Sequence, residues 1–328
     1  MVPTSKIYVA GHTGLVGSAL MRKLHTSGYK NLVTKSFQEL DLRRQGSVEC
    51  FFEQEKPEYV FLAAAKVGGI LANNTYKAEF IYDNLMIAAN VIHASYKFGV
   101  KKLLNLGSSC IYPKNAPQPL KEEYLLSGLL EPTNEPYAIA KIAAIKLCRY
   151  YNEQFGTNFI SAMPTNLYGP QDNFDINTAH VIPALINKFH QAKKQLSDHV
   201  VLWGTGKPYR EFLYVDDLAD ALIFLMMSYD TKAIGECINV GSESEISIKE
   251  LALHIKAITG FNGEIVHDLS KPDGIERKLL DASRIKALGW VPKILLENGL
   301  KFVYQWYVRQ GVDTAFGFEK ESRRNVSL

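Results

Sequence analysis

Short apolar runs alternate along the first half of the chain with longer stretches whose apolar residues recur every three or four positions. Lys6-Ile7-Tyr8-Val9-Ala10 reads as a buried strand with β-branched and aromatic content, and Ser18–Leu24 follows as a helix. Asn31-Leu32-Val33-Thr34-Lys35-Ser36 holds a second strand. Further strands are predicted over Glu58–Ala63, Lys102–Leu106 and Asn158–Met163, with helices over Tyr82–Phe98 and Pro136–Phe155. Alternation of this kind predicts an α/β fold built on a doubly wound parallel (Rossmann) sheet. Ligands of such sheets gather outside the carboxyl ends of the strands. After residue 170 the pattern loosens: a helix starts near His180, and Val200–Gly204 resembles a strand leading into a turn. Residues 1–170 are therefore expected to bind a dinucleotide. Residues 171–311 should form mainly a smaller mixed α/β lobe for substrate, some of whose segments return to the first unit. The polar tail 312–328 is expected to be disordered.

Composition narrows the class without choosing within it. The 328 residues carry a formal charge of +3, and no block of Lys or Arg suggests a nucleic-acid groove. The apolar run Ala221–Met227 is too short to cross a bilayer, and the opening residues lack a signal-peptide pattern. Four scattered cysteines, Cys50, Cys110, Cys148 and Cys237, show neither metal-ligand spacing nor a disulfide framework, which fits a reducing cytoplasm. No metal site is expected.

The chemistry begins at Gly11-His12-Thr13-Gly14-Leu15-Val16-Gly17, between the first strand and its helix. Glycines spaced in this way allow a tight turn, close approach to a pyrophosphate, and packing of helix on strand. The helix N-terminus then offers unpaired N–H groups to the anion. An NAD site usually places an acid at the end of the second strand to hold a ribose hydroxyl. Here that end carries Lys35, which suits a 2′-phosphate and favours NADP(H); a merely solvated lysine is the other reading. Asp41 lies several residues on, at the distance of an adenine contact.

Leu106-Gly107-Ser108-Ser109-Cys110 follows a strand, so Ser108 and Cys110 should stand at the ligand edge together with Leu106. Pro164, Thr165, Asn166 and Leu167 end another strand there. Tyr137 and Lys141 are four residues apart on a helix and share a face. A neighbouring ammonium and a cofactor cation both favour the phenolate and are expected to lower the Tyr137 pKa. Tyr137 could then protonate a carbonyl oxygen as hydride reaches its carbon, with Ser108 bonding the same oxygen. Donors of this kind also stabilise an enolate, so protons beside the ketone become removable. Cys110 and His180 are suited to that transfer because thiol and imidazole titrate near neutrality. Each has a plainer reading, as a small packed residue or a helix-end histidine.

The chain resembles the GDP-L-fucose synthase family of extended short-chain dehydrogenases/reductases from about Lys6 to Gln310. The resemblance rests on Ala63-Ala64-Ala65-Lys66-Val67-Gly68-Gly69-Ile70, Gly107-Ser108-Ser109-Cys110-Ile111-Tyr112-Pro113 and Glu131-Pro132-Thr133-Asn134-Glu135-Pro136-Tyr137-Ala138. Asn73-Asn74-Thr75, Pro164-Thr165-Asn166-Leu167-Tyr168-Gly169-Pro170, Arg210-Glu211-Phe212 and Ser270-Lys271-Pro272-Asp273-Gly274 extend it. It implies a bifunctional 3,5-epimerase and NADPH-dependent 4-reductase of a GDP-4-keto sugar. Ser108, Tyr137 and Lys141 would form the reductase triad, and Cys110 and His180 the epimerisation pair. Lys141 and His180 would also touch the cofactor. Lys188, Trp203, Arg210 and Asp273 match positions that hold the GDP-sugar. A homodimer through the helices Tyr82–Phe98 and Pro136–Phe155 is implied as well. One departure is visible: some members carry Arg where the glycine loop here has Thr13. Three alternatives share the fold. A nucleotide-sugar 4,6-dehydratase should show Asp-Glu where this chain has Ser109-Cys110. A 4-epimerase has no need of Cys110 with His180. A silent dinucleotide-binding module would have no use for the triad.

Overall fold

The computed structural model describes residues 1–310 apart from Asn177 and Pro272, so the tail 312–328 lies outside the described residues. The principal sheet collects six parallel strands in the order β2-β1-β3-β4-β5-β9. These are β1 (Ile7–Ala10), β2 (Leu32–Val33), β3 (Tyr59–Leu62), β4 (Lys102–Leu106), β5 (Phe159–Pro164) and β9 (Ile238–Val240). Strand β1 shows why the run is continuously apolar. Ile7 and Val9 enter one core with Leu20, Leu104 and Leu222, while Tyr8 and Ala10 enter another with Phe52, Val91 and Cys148. A strand covered on both faces has no polar side to alternate with.

The helix Leu15–Thr26 packs in the first core with the helix Val215–Ser228. Lys77–Lys97 and Glu135–Phe155 supply the second. Both latter helices start earlier than the apolar spacing suggests. Glu79 occupies the first turn of one and Glu135 with Pro136 that of the other, where acids and proline are favoured by the free N–H groups. Likewise the first helix begins at Leu15 rather than Ser18, since Val16 and Gly17 are already buried on its inner face.

Smaller sheets build the remaining lobe. Strand β8 (Tyr209–Tyr214) is central, flanked by β10 (Glu245–Ser247) and β12 (Arg277–Lys278), with β6 (Asn166–Tyr168) also pairing to it. Strands β7 (His199–Trp203) and β11 (Glu264–Asp268) form a parallel pair. A third core of Ile182, Phe189, Phe212 and Leu251 lies among them. The chain thus crosses from β5 into β6 within two residues, which sets the carboxyl edge of the large sheet against the small one. Among the described residues no helix is long and apolar enough to cross a membrane.

Candidate functional site

At the end of β1 the backbone turns through Gly11, whose φ of 82° lies in the left-handed region. A Cβ at Gly17 would stand 2.0 Å from the Gly11 carbonyl oxygen, so only glycine permits this closeness of loop and helix. Thr13 and Gly14 are exposed, Leu15 opens the helix, and Val16 and Gly17 are buried. Gly14 at the N-cap brings no side-chain cap, and the first turn holds no acid. Those N–H groups are available to an anion. The Nδ1 atom of His12 is buried without a protein partner, a further polar atom for a ligand to satisfy. The cradle fits a dinucleotide pyrophosphate.

Beyond β2, Lys35 is about a third exposed and only loosely paired to Glu39 at 3.9 Å. Asp41, expected near adenine, is held by Arg43. Its two oxygens accept Nε and Nη2 of Arg43, each at 2.9 Å, and the backbone N–H of Arg43 adds a third bond at 3.0 Å. These contacts, led by the guanidinium, hold the Asp41 carboxyl below its ordinary range. Arg43 also reaches Asp83 at 3.1 Å and lies over the exposed Phe37 ring at 5.2 Å. Sequence reading passed over Arg43, because nothing local marks a guanidinium whose partners are 2 and 40 residues away.

The chemical cluster forms where β4 ends. Ser108 caps the short 3₁₀ turn Ser109–Ile111, its Oγ accepting the Cys110 N–H at 3.4 Å. That turn buries the Cys110 side chain. The helix Glu135–Phe155 brings Tyr137 and Lys141 alongside. The Lys141 ammonium donates to the Leu106 carbonyl at 2.7 Å and lies 5.6 Å from the Tyr137 ring centre. Tyr137 packs edge-on against Phe80. Burial pushes Lys141 down to about 8. In the protein alone, Tyr137 is pushed up. Burial is the main cause, with Cys110 adding to it.

Cys110 has a neighbour that sequence reading missed. Burial raises its thiol pKa, while Lys278 first, then the Ser108 hydroxyl and Lys141, pull it down. Lys278 belongs to β12 and pairs in register with Arg210 of β8. Two residues of strand after a turn carry no sequence signal strong enough to place them. His180 stands at the N-cap of the helix Val181–Lys194 without capping it. Crowding by protein and the Lys278 charge both depress its imidazolium. Cys110, Tyr137, Lys141, His180 and Lys278 thus share one electrostatic neighbourhood.

The other expected contacts separate into two groups. Pro164 is buried at the end of β5. Next to it, Thr165 Oγ1 and Asn166 Nδ2 donate to the Glu211 carbonyl at 3.3 and 2.8 Å, with Leu167 following in β6. They stitch the two lobes together. Farther out, the Trp203 indole, half exposed, has Lys188 at 4.9 Å and Lys271 at 5.5 Å from its ring. Lys188 donates to the Val201 carbonyl, and burial lowers its pKa. Burial also lowers that of Arg210, against the pull of Asp273. The Asp273 carboxylate is already committed, accepting the Thr205 N–H at 2.8 Å and hydroxyl at 2.7 Å. It ties its loop to the turn after β7. Three cations and an open indole suit a diphosphate joined to a flat base.

The model of the NAD dependent epimerase/dehydratase family matches residues 7–241. GDP-L-fucose synthase 1 of Arabidopsis thaliana is 58% identical, over 93% of this chain and 94% of its own. The GDP-L-fucose synthase of Escherichia coli K12 is 53% identical, over 92% and 96%. Among solved structures, a GDP-L-fucose synthetase from Naegleria fowleri bound to NADP superposes with a TM-score of 0.88. It is 33% identical, with 96% of each chain covered.

Proposed function

The chain belongs to the NAD dependent epimerase/dehydratase family, within it to the GDP-L-fucose synthases, and on that premise we propose that it converts GDP-4-keto-6-deoxy-D-mannose to GDP-L-fucose. The conversion comprises epimerisation at C3 and C5 and NADPH-dependent reduction at C4. The observation that carries this reading is the placement of the Cys110 thiol beside the same residues that can bond a carbonyl oxygen.

The loop Gly11–Gly17 holds the pyrophosphate of NADP(H), and Lys35 takes the 2′-phosphate. When bound, the cofactor supplies hydride to the C4 carbon. Ser108 and Tyr137 bond the C4 oxygen. Their hydrogen bonds strengthen as charge develops there, whether an enolate forms or hydride arrives. Cys110, as thiolate, removes a proton from the carbon beside the ketone, and His180 as imidazolium returns one to the opposite face. The Lys141 ammonium favours the phenolate that Tyr137 leaves after donating its proton. Lys188, Trp203 and Arg210 hold the GDP moiety, with Asp273 shaping the loop around it.

Residues 1–170 serve as the NADP-binding unit and 171–311 mainly as the substrate lobe, β9 and the helix Val215–Ser228 returning to the first. The exposed Tyr82, Ile139, Tyr150 and Phe155 on the helices Lys77–Lys97 and Glu135–Phe155 support a homodimer through that face. Sedimentation as a monomer would remove this part. Four free cysteines, three of them buried, support a cytoplasmic setting.

The decisive experiment is incubation with GDP-4-keto-6-deoxymannose and NADPH in deuterated water, followed by NMR of the product. Deuterium at C3 and C5 with reduction at C4 is expected. Reduction without deuterium would leave a reductase alone.

A further inference from the structure

Glu211 takes no part in the chemistry above, yet none of its surface is exposed. Its Oε1 accepts the backbone N–H groups of Ser242 at 2.6 Å and Glu243 at 2.7 Å, and Oε2 accepts that of Leu280 at 3.0 Å. Every one of these partners donates, so the ionised carboxylate matches them and a protonated one would set O–H against N–H. Burial raises the carboxyl pKa, and these N–H groups together with the Thr165 hydroxyl oppose it without reversing it. The fit is close: a Cβ on Gly241 would stand 2.4 Å from Oε1.

What the carboxylate holds is informative. Leu280 follows Lys278 by two residues, and β12 is itself only two residues long, paired to β8 through Arg277 with Tyr209 and Lys278 with Arg210. The segment is tied elsewhere as well: the Glu276 carbonyl accepts the Tyr209 N–H at 2.8 Å, the Leu279 N–H donates to Gln118 Oε1 at 2.9 Å, and the Leu279 carbonyl accepts the Leu120 N–H at 2.7 Å, so Glu211 is its tie on the side of β8. Burial above all, with the like charge of Arg210 adding to it, lowers the Lys278 pKa, while Cys110 and Glu211 oppose that shift. His180 also feels its charge.

We propose that Glu211 is a positioning residue whose carboxylate fastens the Lys278–Leu280 segment to β8 and so keeps the Lys278 ammonium beside the Cys110 thiol. This deepens the reading of the cluster as a centre for ketone chemistry and rests on it. Cys110 is faced by Lys278, Lys141 and Tyr137. Of these only Lys278 depends on the fastening.

The test is Glu211→Gln. Its NH2 group must oppose either two donors at the Oε1 side or one at the Oε2 side, so it turns toward Leu280 and releases it. The readout is the rate of Cys110 alkylation by iodoacetamide against pH, without substrate or cofactor, in a Cys50→Ser background and located by peptide mass spectrometry. Loss of the ammonium should move the midpoint of that profile up by roughly half a pH unit or more. Gly241→Ala displaces the carboxylate from the other side and keeps its charge; it should move the midpoint in the same direction. It also decides the matter if Glu211→Gln does not fold. A merely structural role would lower Tm in both variants with the midpoint unmoved, and that result overturns the proposal. Should the wild-type protein fail to turn over the GDP-keto sugar, the functional reading falls while the alkylation profiles still decide the fastening.

Discussion

Replacing Cys110 by Ser separates the two reactions assigned to one site. The side chain changes little in size and remains in the 3₁₀ turn capped by Ser108, so packing should survive. What changes is acidity. A thiol titrates at about 8.5 in the absence of perturbation, whereas a hydroxyl hardly ionises near neutrality. Burial raises the Cys110 pKa, but Lys278, Ser108 and Lys141 counter it, and no such help makes a serine hydroxyl a base at neutral pH. A positioned acid or base is worth about 10²–10⁴ in rate, roughly 3–5 kcal/mol of barrier. Exchange of solvent deuterium into C3 and C5 should fall by that factor. NADPH oxidation should fall less, since Ser108, Tyr137 and Lys141 remain to receive the unepimerised ketone. The assay runs both in one tube, absorbance for the cofactor and NMR for the label. Exchange at both carbons at wild-type rates would return Cys110 to the role of a small packed residue and leave the epimerisation without its base.

Other perturbations test neighbouring parts. Tyr137→Phe keeps the ring packing on Phe80 and should slow NADPH oxidation by about 10²–10⁴, because the proton donor is gone. In the wild type, Lys141 is pushed down to about 8, so its ammonium is present below that pH and lost above it. Reduction should therefore decline on the alkaline side, which a pH profile of the hydride step would reveal. Lys35→Ala should erode the NADPH-over-NADH preference by roughly tenfold in kcat/KM through loss of a charge-assisted contact. An unchanged ratio would pass the phosphate to Arg43. Ser247→Ala breaks the capping box in which Ser247 Oγ accepts the Glu250 N–H at 3.2 Å and Glu250 accepts the Ser247 N–H at 3.1 Å. A loss of about 1 kcal/mol, or roughly 1–2 °C in Tm, should appear by calorimetry with kcat intact.

Much of this architecture is legible from local pattern because its strongest elements are buried on both faces. Strand Lys102–Leu106 has the same bounds in sequence and structure, since all five residues are buried and Gly107 marks its end. The glycine loop is legible for a different reason: its geometry is steric and local, with Gly11 and Gly17 nearly touching. Helix starts are less so. Lys77–Lys97 begins with polar residues whose value lies in the first-turn N–H groups rather than in any apolar stripe. The direction of the Tyr137 shift was not legible either. The spacing to Lys141 is a sequence fact, whereas the burial that raises the Tyr137 pKa arises only from packing with elements elsewhere in the chain.

The residues that local pattern passed over share one property: each acts through partners distant in sequence or in no regular spacing. Arg43 is fixed by Asp41 and Asp83, Lys278 is placed by pairing with β8, and Glu211 reaches Ser242, Glu243 and Leu280. Their cost and benefit are electrostatic. A half-buried ammonium next to a guanidinium is unfavourable unless anionic or polarisable groups face it, and here the thiol and the Glu211 carboxylate do so. The same arrangement that makes Lys278 hard to find makes it useful, because a cation held in a poorly solvated place acts strongly on an adjacent thiol. Position along the chain is thus a poor guide to the acid–base side of this site, and the pairing of two short strands is a better one.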